Sequence, residues 1–279
     1  MLHDDVAEAH VPAPPAAPTR PLTRPAPGET VTDTVRRLAG AQKGSQGAPA
    51  YGRFVNRPLG RLFAALAFHR GMTPDAVTAC SAAFTFSALA AVALAPHTWW
   101  VGVLVAIGLV VGYALDSADG QLARLRGGGS PAGEWLDHMV DAAKIACLHL
   151  AVAIGLYRQG DLDEAWLLLP LGYLVVDVVY FSAMLLNEAL RSRHGTPTRA
   201  APTAAGASVL RSLVLLPTDY GVQCLVFALL GWTAAFVGLY ALLAACTAGF
   251  LVLALPRWRA EMTRLPDRPA AVPGATPFG

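Results

Sequence analysis

Charge is what this chain has least of. Asp, Glu, Lys and Arg make up 14% of its 279 residues, where a soluble domain carries about a quarter. That shortage excludes an ordinary cytosolic globule. The 54% hydrophobic content excludes a chain that is disordered throughout. Lysine is nearly missing: Lys43 and Lys144 are the only two. With the abundant alanine, this arginine-for-lysine usage points to a GC-rich bacterial genome. A net charge of +2 gives no pull toward nucleic acid, and no nucleic-acid partner is expected. Cysteine is sparse. Cys80, Cys147, Cys224 and Cys246 lie in apolar runs without CxxC spacing, which suggests neither a disulfide framework nor a zinc site and leaves them as buried small hydrophobes. The N-terminal region lacks the apolar core of a cleavable secretion signal.

Long apolar runs are plentiful. A spanning helix needs about 20 apolar residues. Residues 76–95, 98–115 and 233–255 carry no Asp, Glu, Lys or Arg. Residues 165–186 and 212–231 carry one charge each, Asp177 and Asp219, and 145–157 reaches spanning length if its helix begins near Gly133. The expected fold is all-α and integral to the membrane, with six transmembrane helices. Arginine sets the orientation. Arg53, Arg57, Arg61 and Arg70 precede the first run, and Arg124 and Arg126 follow the second. Arg191, Arg193, Arg199 and Arg211 lie between the fourth and fifth runs, and Arg257, Arg259, Arg264 and Arg268 follow the sixth. The opposite loops hold one arginine, Arg158. Six spans with both termini in the cytoplasm, in a bacterial plasma membrane, fit this asymmetry; an odd number spoils it.

Residues 1–50 contain eight prolines and read as a disordered cytoplasmic tail, as do 256–279; the membrane domain is 51–255. At 51–70, Leu59, Leu62, Phe63 and Leu66 share one helical face and Arg53, Arg57 and Arg61 another. This is the pattern of a cytoplasmic interfacial amphipathic helix before the first span, although a helix packed on the protein's own surface has the same pattern. Pro58 is either its first helical residue or a kink.

The chemistry lies in 116–141, DSADGQLARLRGGGSPAGEWLDHMVD. Asp116 and Asp119 share a helix face at the cytoplasmic end of the second run, and Asp137 and Asp141 share one at the start of the third. The Gly-rich turn between them makes a hairpin, which sets the two acidic pairs opposite each other. Four carboxylates beside a low dielectric need raised pKa values or bound cations. Oxygen-only ligands favour Mg²⁺ or Mn²⁺, and two ions about 3.5–4 Å apart can clamp the attacking and leaving oxygens at a phosphorus. Gly120 and Gly133 leave room for a phosphate or nucleotide, and the planar fork of Arg124 suits a phosphate. A solvated helix end whose carboxylates pair with Arg124, Arg126 and Lys144 is the alternative.

The pattern D-x2-D-G-x2-A-R-x8-G-x3-D-x3-D is filled by Asp116, Asp119, Gly120, Ala123, Arg124, Gly133, Asp137 and Asp141. It resembles the signature of the CDP-alcohol phosphatidyltransferases. The resemblance implies a six-helix membrane fold with a preceding interfacial helix over roughly 51–255. It also implies transfer of a phosphatidyl group from a CDP-linked lipid such as CDP-diacylglycerol to an alcohol, with release of CMP, in phospholipid biosynthesis. By the same resemblance the four aspartates hold divalent metals at the pyrophosphate, Asp141 is the base, and Thr78, Gly120, Ala123, Arg124 and Gly133 contact the donor. A homodimer is implied as well. Family members commonly begin the first span with a Pro-Asn-x-x-Thr-like turn; here it reads Pro74-Asp75-Ala76-Val77-Thr78, with Asp75 for the Asn.

Weaker signals remain. Asp177, in mid-span, reads as a functional candidate or as a partner of His149 or a neighbouring hydroxyl. Asp219 lies where it can reach Arg211. His138 reads as packing or surface. Arg191, Arg193, Arg199 and Arg211 can hold an acceptor phosphate or simply mark topology. Two rivals share the features: an intramembrane Mg²⁺-dependent prenyltransferase, and a divalent-cation transporter, which needs acidic residues along a pore.

Overall fold

The computed structural model describes residues 24–40, 49–160, 162–197 and 209–266. The described residues form helices and helical turns without strands. The helices are α1 (Val31–Gly40), α2 (Arg57–His69), α3 (Pro74–Leu94), α4 (Trp99–Leu125), α5 (Pro131–Gln159), α6 (Leu168–Arg193), α7 (Val209–Val214), α8 (Tyr220–Val226) and α9 (Thr233–Met262). Five are long and apolar enough to cross a bilayer: α3, α4, α5, α9, and α6 with the 3₁₀ turn Glu164–Leu167 before it.

Local sequence sets the helix ends. Thr73, Thr98 and Ser130 cap α3, α4 and α5 by accepting from the backbone N–H three residues on, and Pro74 and Pro131 follow two of these caps in the first turn. The turn between α4 and α5 passes through Gly127 and Gly128 at φ +98° and +133°, a conformation that L side chains rarely adopt. Small residues let the backbones close up. A Cβ on Gly112 of α4 would stand 2.3 Å from the Thr85 hydroxyl of α3, and one on Gly155 of α5 would stand 2.5 Å from the carbonyl of Val92.

Three sequence expectations change. The fifth expected span, 212–231, is not one helix. Pro217 and Asp219 divide it into α7, a 3₁₀ turn at Leu216–Thr218, α8, and a second turn at Phe227–Leu229. Pro217 has no N–H to continue a helix. The Asp219 carboxylate instead starts a new one, accepting from Gly221 N at 3.0 Å, and also accepts from Gly52 N at 2.9 Å. The chain here runs beside α4. Tyr220 packs edge-on against Tyr113, and a Cβ on Gly102 would meet the carbonyl of Phe227 at 2.8 Å. Second, the expected N-terminal tail contains α1, which seats Leu38 at 1% exposure in a cluster with Ala64, Phe68, Val77 and Leu122. Third, α9 runs past the expected boundary at 255 to Met262, through Pro256.

Before α2, one π-helical turn at Gly52–Asn56 precedes Pro58, with Arg57 N–H bonded to Gly52 O. Pro58 therefore sits in the first turn of α2, where its missing N–H costs no bond. Gly60, Ala64, Ala65, Ala67 and Phe68 form the buried face of α2, whereas Leu62 is 43% exposed. In mid-bundle, His149 joins α5 to α6 through Asp177 (2.9 Å) and to α9 through the Tyr240 hydroxyl. Asp177 thus has the His149 partner foreseen for it.

Candidate active site

The last turns of α4 and the first turns of α5 meet across the glycine turn. Asp116, Asp119 and Asp137 each bring a carboxylate oxygen within 4.8 Å of the others, and Asp137, His138 and Asp141 form a second group of the same tightness. This hairpin gathers all four predicted aspartates. Three carboxylates so close, with oxygen as the only donor atom, fit a hard cation such as Mg²⁺ or Mn²⁺. Thr78, from the first turns of α3, donates to Asp119 Oδ2 at 2.6 Å, and both residues are buried.

A cavity of about 520 Å³ opens beside the cluster. Its lining includes Thr78, Gly120, Ala123, Arg124 and Gly133, all five predicted donor contacts, together with Asp119 and Asp137. Asp116 and Asp141 are outside the lining. The N-terminal turns of α3 (Thr73, Pro74, Asp75) and of α5 (Ser130, Gly133, Glu134) form other parts of the wall. Two helix N-termini carry partial positive charge into the same space. Arg124 Nε is buried and has no hydrogen-bond partner among the described residues. The cavity thus offers both cationic groups for an anion and carboxylates for a cation. Asp75, in the family's Asn position, lines it, with its Oδ1 3.2 Å from where a Gly133 Cβ would stand.

Three residues that sequence reasoning left out of the donor site contribute to it. His138 lines the cavity, 3.9 Å from Glu134, and is not merely a surface residue. Arg126 donates to the Met72 carbonyl at 2.6 Å and adds to the wall. Lys144 donates to both Asp116 and Asp141, its partners in the alternative reading of the cluster, and its burial was not foreseen. Arg124 and Arg126, named beside it in that reading, form no ion pair within 4.0 Å of an aspartate among the described residues. Of the four predicted acceptor arginines, the two whose side chains are described are elsewhere. Arg191 pairs with Glu261 of α9, Arg193 is exposed at the end of α6, and neither lines the cavity. Arg199 lies outside the described residues, as does the side chain of Arg211.

Fold and site together define a helical membrane protein with a polar, carboxylate-lined cavity where three helix ends meet. The chain belongs to the CDP-alcohol phosphatidyltransferase family, whose profile matches residues 71–253. That stretch contains the whole cavity. No curated protein matches the chain. Family membership makes the protein a membrane transferase of the group that moves a phosphatidyl unit from a CDP-alcohol to an alcohol acceptor.

Proposed function

We propose that this protein transfers a phosphatidyl group from a CDP-linked lipid such as CDP-diacylglycerol to a small alcohol or alcohol phosphate, releasing CMP. The observation that carries this reading is the cavity that sets Arg124 and two helix N-termini against Asp119 and Asp137. A diphosphate needs such a double environment, cationic for its oxygens and acidic for its counter-ions. Asp116, Asp119, Asp137 and Asp141 would hold Mg²⁺ or Mn²⁺, which supplies Lewis-acid charge at the diphosphate. Arg124 and the capped first turns of α3 and α5 bind the diphosphate oxygens. Thr78 orients Asp119, and Gly120 and Gly133 leave the cavity open to the nucleotide. Asp141 accepts the proton of the acceptor hydroxyl as its oxygen bonds to the lipid-bearing phosphorus, and the bond from that phosphorus to CMP breaks. The half-length α8 and the turns around it complete a sixth crossing, α2 lies at the interface with its leucine face toward lipid, and the cavity faces the cytoplasm. The protein works as a homodimer. Arg193, Arg199 and Arg211 are the arginines left for an acceptor phosphate, since Arg191 is held by Glu261.

The test is to incubate detergent-solubilised protein with labelled CDP-diacylglycerol, Mg²⁺ and a panel of alcohols, then analyse the lipids. CMP and a new phosphatidyl ester are expected. A prenyl diphosphate consumed in place of the CDP-lipid would support the prenyltransferase reading. Asp141→Asn should lower kcat by about 10²–10⁴-fold with CDP-lipid binding kept, the usual scale of general-base catalysis.

A further inference from the structure

A second cavity, of about 400 Å³, lies where α6 and α9 end. Its wall includes Thr196, just past α6, with Arg257, Ala260 and Glu261 of α9 and Arg264 beyond it. None of its residues lines the candidate active site. The chain crosses through α5 and returns through α6, so both cavities lie at the same end of the bundle. The two helix ends are locked together here. Thr196 N–H bonds to the Arg191 carbonyl at 2.9 Å and Gly195 N–H to the Ser192 carbonyl at 3.1 Å, with Gly195 at φ +65°. This Schellman turn ends α6. His194 Nδ1 then donates to the Pro266 carbonyl at 2.8 Å, and Arg191 pairs with Glu261.

The charges in this cavity do not balance. Glu261 is the one carboxylate among its lining residues, and it is paired with Arg191. Arg257 and Arg264 form no ion pair within 4.0 Å among the described residues. Seven residues apart, they stand on about the same helical face, with the small Ala260 between them. Two guanidinium groups without counter-charge therefore border one space, and their planar forks match phosphate oxygens. The location selects a lipid phosphate over one in solution. The apolar run of α9 ends at Leu255, so Arg257 stands where hydrocarbon gives way to head groups. One turn deeper on the same face, Leu253 is 63% exposed and offers an acyl chain an apolar surface.

We propose that this cavity binds the phosphate of an anionic phospholipid at a site separate from the active site. Arg257 and Arg264 bond the phosphate oxygens, and an acyl chain lies along α9 over Leu253. The inference does not rest on the catalytic reading, because the two cavities share no residue.

The experiment measures the affinity of short-chain phosphatidylglycerol for the full-length protein in neutral detergent, for wild type, Arg257→Gln, Arg264→Gln, Ala260→Leu and Arg259→Gln. Both cavity arginines are exposed, so glutamine leaves the packing intact. Arg259 is exposed on the same helix but outside the cavity, so its replacement removes an equal charge without touching the site. Ala260→Leu keeps every arginine and fills the space. Lipid taken up at the active site is common to all five proteins and drops out of the comparison. Losing one charge-assisted contact should raise Kd about tenfold or more in Arg257→Gln and in Arg264→Gln. Ala260→Leu should weaken binding as well, and Arg259→Gln should stay near wild type. Wild-type affinity in both cavity-arginine variants would overturn the proposal. So would equal weakening in all three arginine variants with Ala260→Leu unaffected, the mark of diffuse surface attraction. Inorganic phosphate as competitor separates the two sources of the anion. It should fail to displace the lipid at equal concentration; displacement would assign the site to soluble phosphate and overturn the lipid assignment.

Discussion

At the residue scale, Thr78 is the most exacting contact of the site. Its hydroxyl is the family turn's last position, and it donates to a carboxylate that is also buried. A hydrogen bond to a charged acceptor contributes about 1.5–3 kcal/mol, and its loss leaves Asp119 free to rotate from the position in which it faces Asp116 and Asp137. Thr78→Val keeps the volume and removes the donor. The Mg²⁺ concentration for half-maximal CMP release should rise about tenfold or more, while Thr78→Ser should stay near wild type. An unchanged Mg²⁺ dependence in Thr78→Val would show that Asp119 is oriented by something else. The aspartates were legible in the sequence because each pair is local, three or four residues apart on one helix. Lys144 was half legible. Its spacing from Asp141 is also local, but Ser81 reaches it from 63 residues away, and no pattern within one helix shows that.

Among the elements, α1 is the one that composition concealed. Proline density around it argues for a tail, yet Val31, Val35 and Leu38 recur at helical spacing and pack toward α2. Glu29 fastens the start of the helix. It accepts from Ala26 N–H at 2.9 Å and from the Thr34 hydroxyl at 2.7 Å, and pairs with Arg37 at 2.8 Å. The hydrogen bond from Ala26, then that from Thr34, and more weakly the Arg37 charge hold its carboxyl below the ordinary 4.5. A carboxyl whose pKa is lower folded than unfolded contributes stability above the unfolded value and loses it as pH falls through the folded value. Protection of 31–40 from hydrogen exchange, corrected for intrinsic rates, should therefore be full at neutral pH and decline below about pH 4.5. Glu29→Gln should show the reduced protection already at pH 7, and protection equal to wild type there would remove Glu29 from the account. The break in the fifth apolar run was hidden for the opposite reason. Hydropathy sums over a window and registers neither Pro217 nor the capping by Asp219, whose second bond goes to Gly52, 167 residues away.

For the whole molecule, the up-and-down order of the long helices places the start of α3, the end of α4 and the start of α5 together, and the cavity follows from that meeting. Consecutive spans joined by short turns made this arrangement readable from hydropathy and the glycine turn alone. The bonds that lock the ends, Thr78 to Asp119 and Gly52 to Asp219, join distant segments and needed the structure. The central claim is that the α4–α5 carboxylate cluster performs metal-dependent phosphatidyl transfer. It is tested most directly by CMP release from CDP-diacylglycerol, measured for wild type, Asp116→Ala and Asp119→Ala with Mg²⁺ and in excess EDTA. The account predicts release by wild type, its loss in EDTA, its return with Mg²⁺ or Mn²⁺, and no release from either variant although both remain folded in detergent. Full wild-type activity in excess chelator, or a variant that turns over at the wild-type rate, would contradict it.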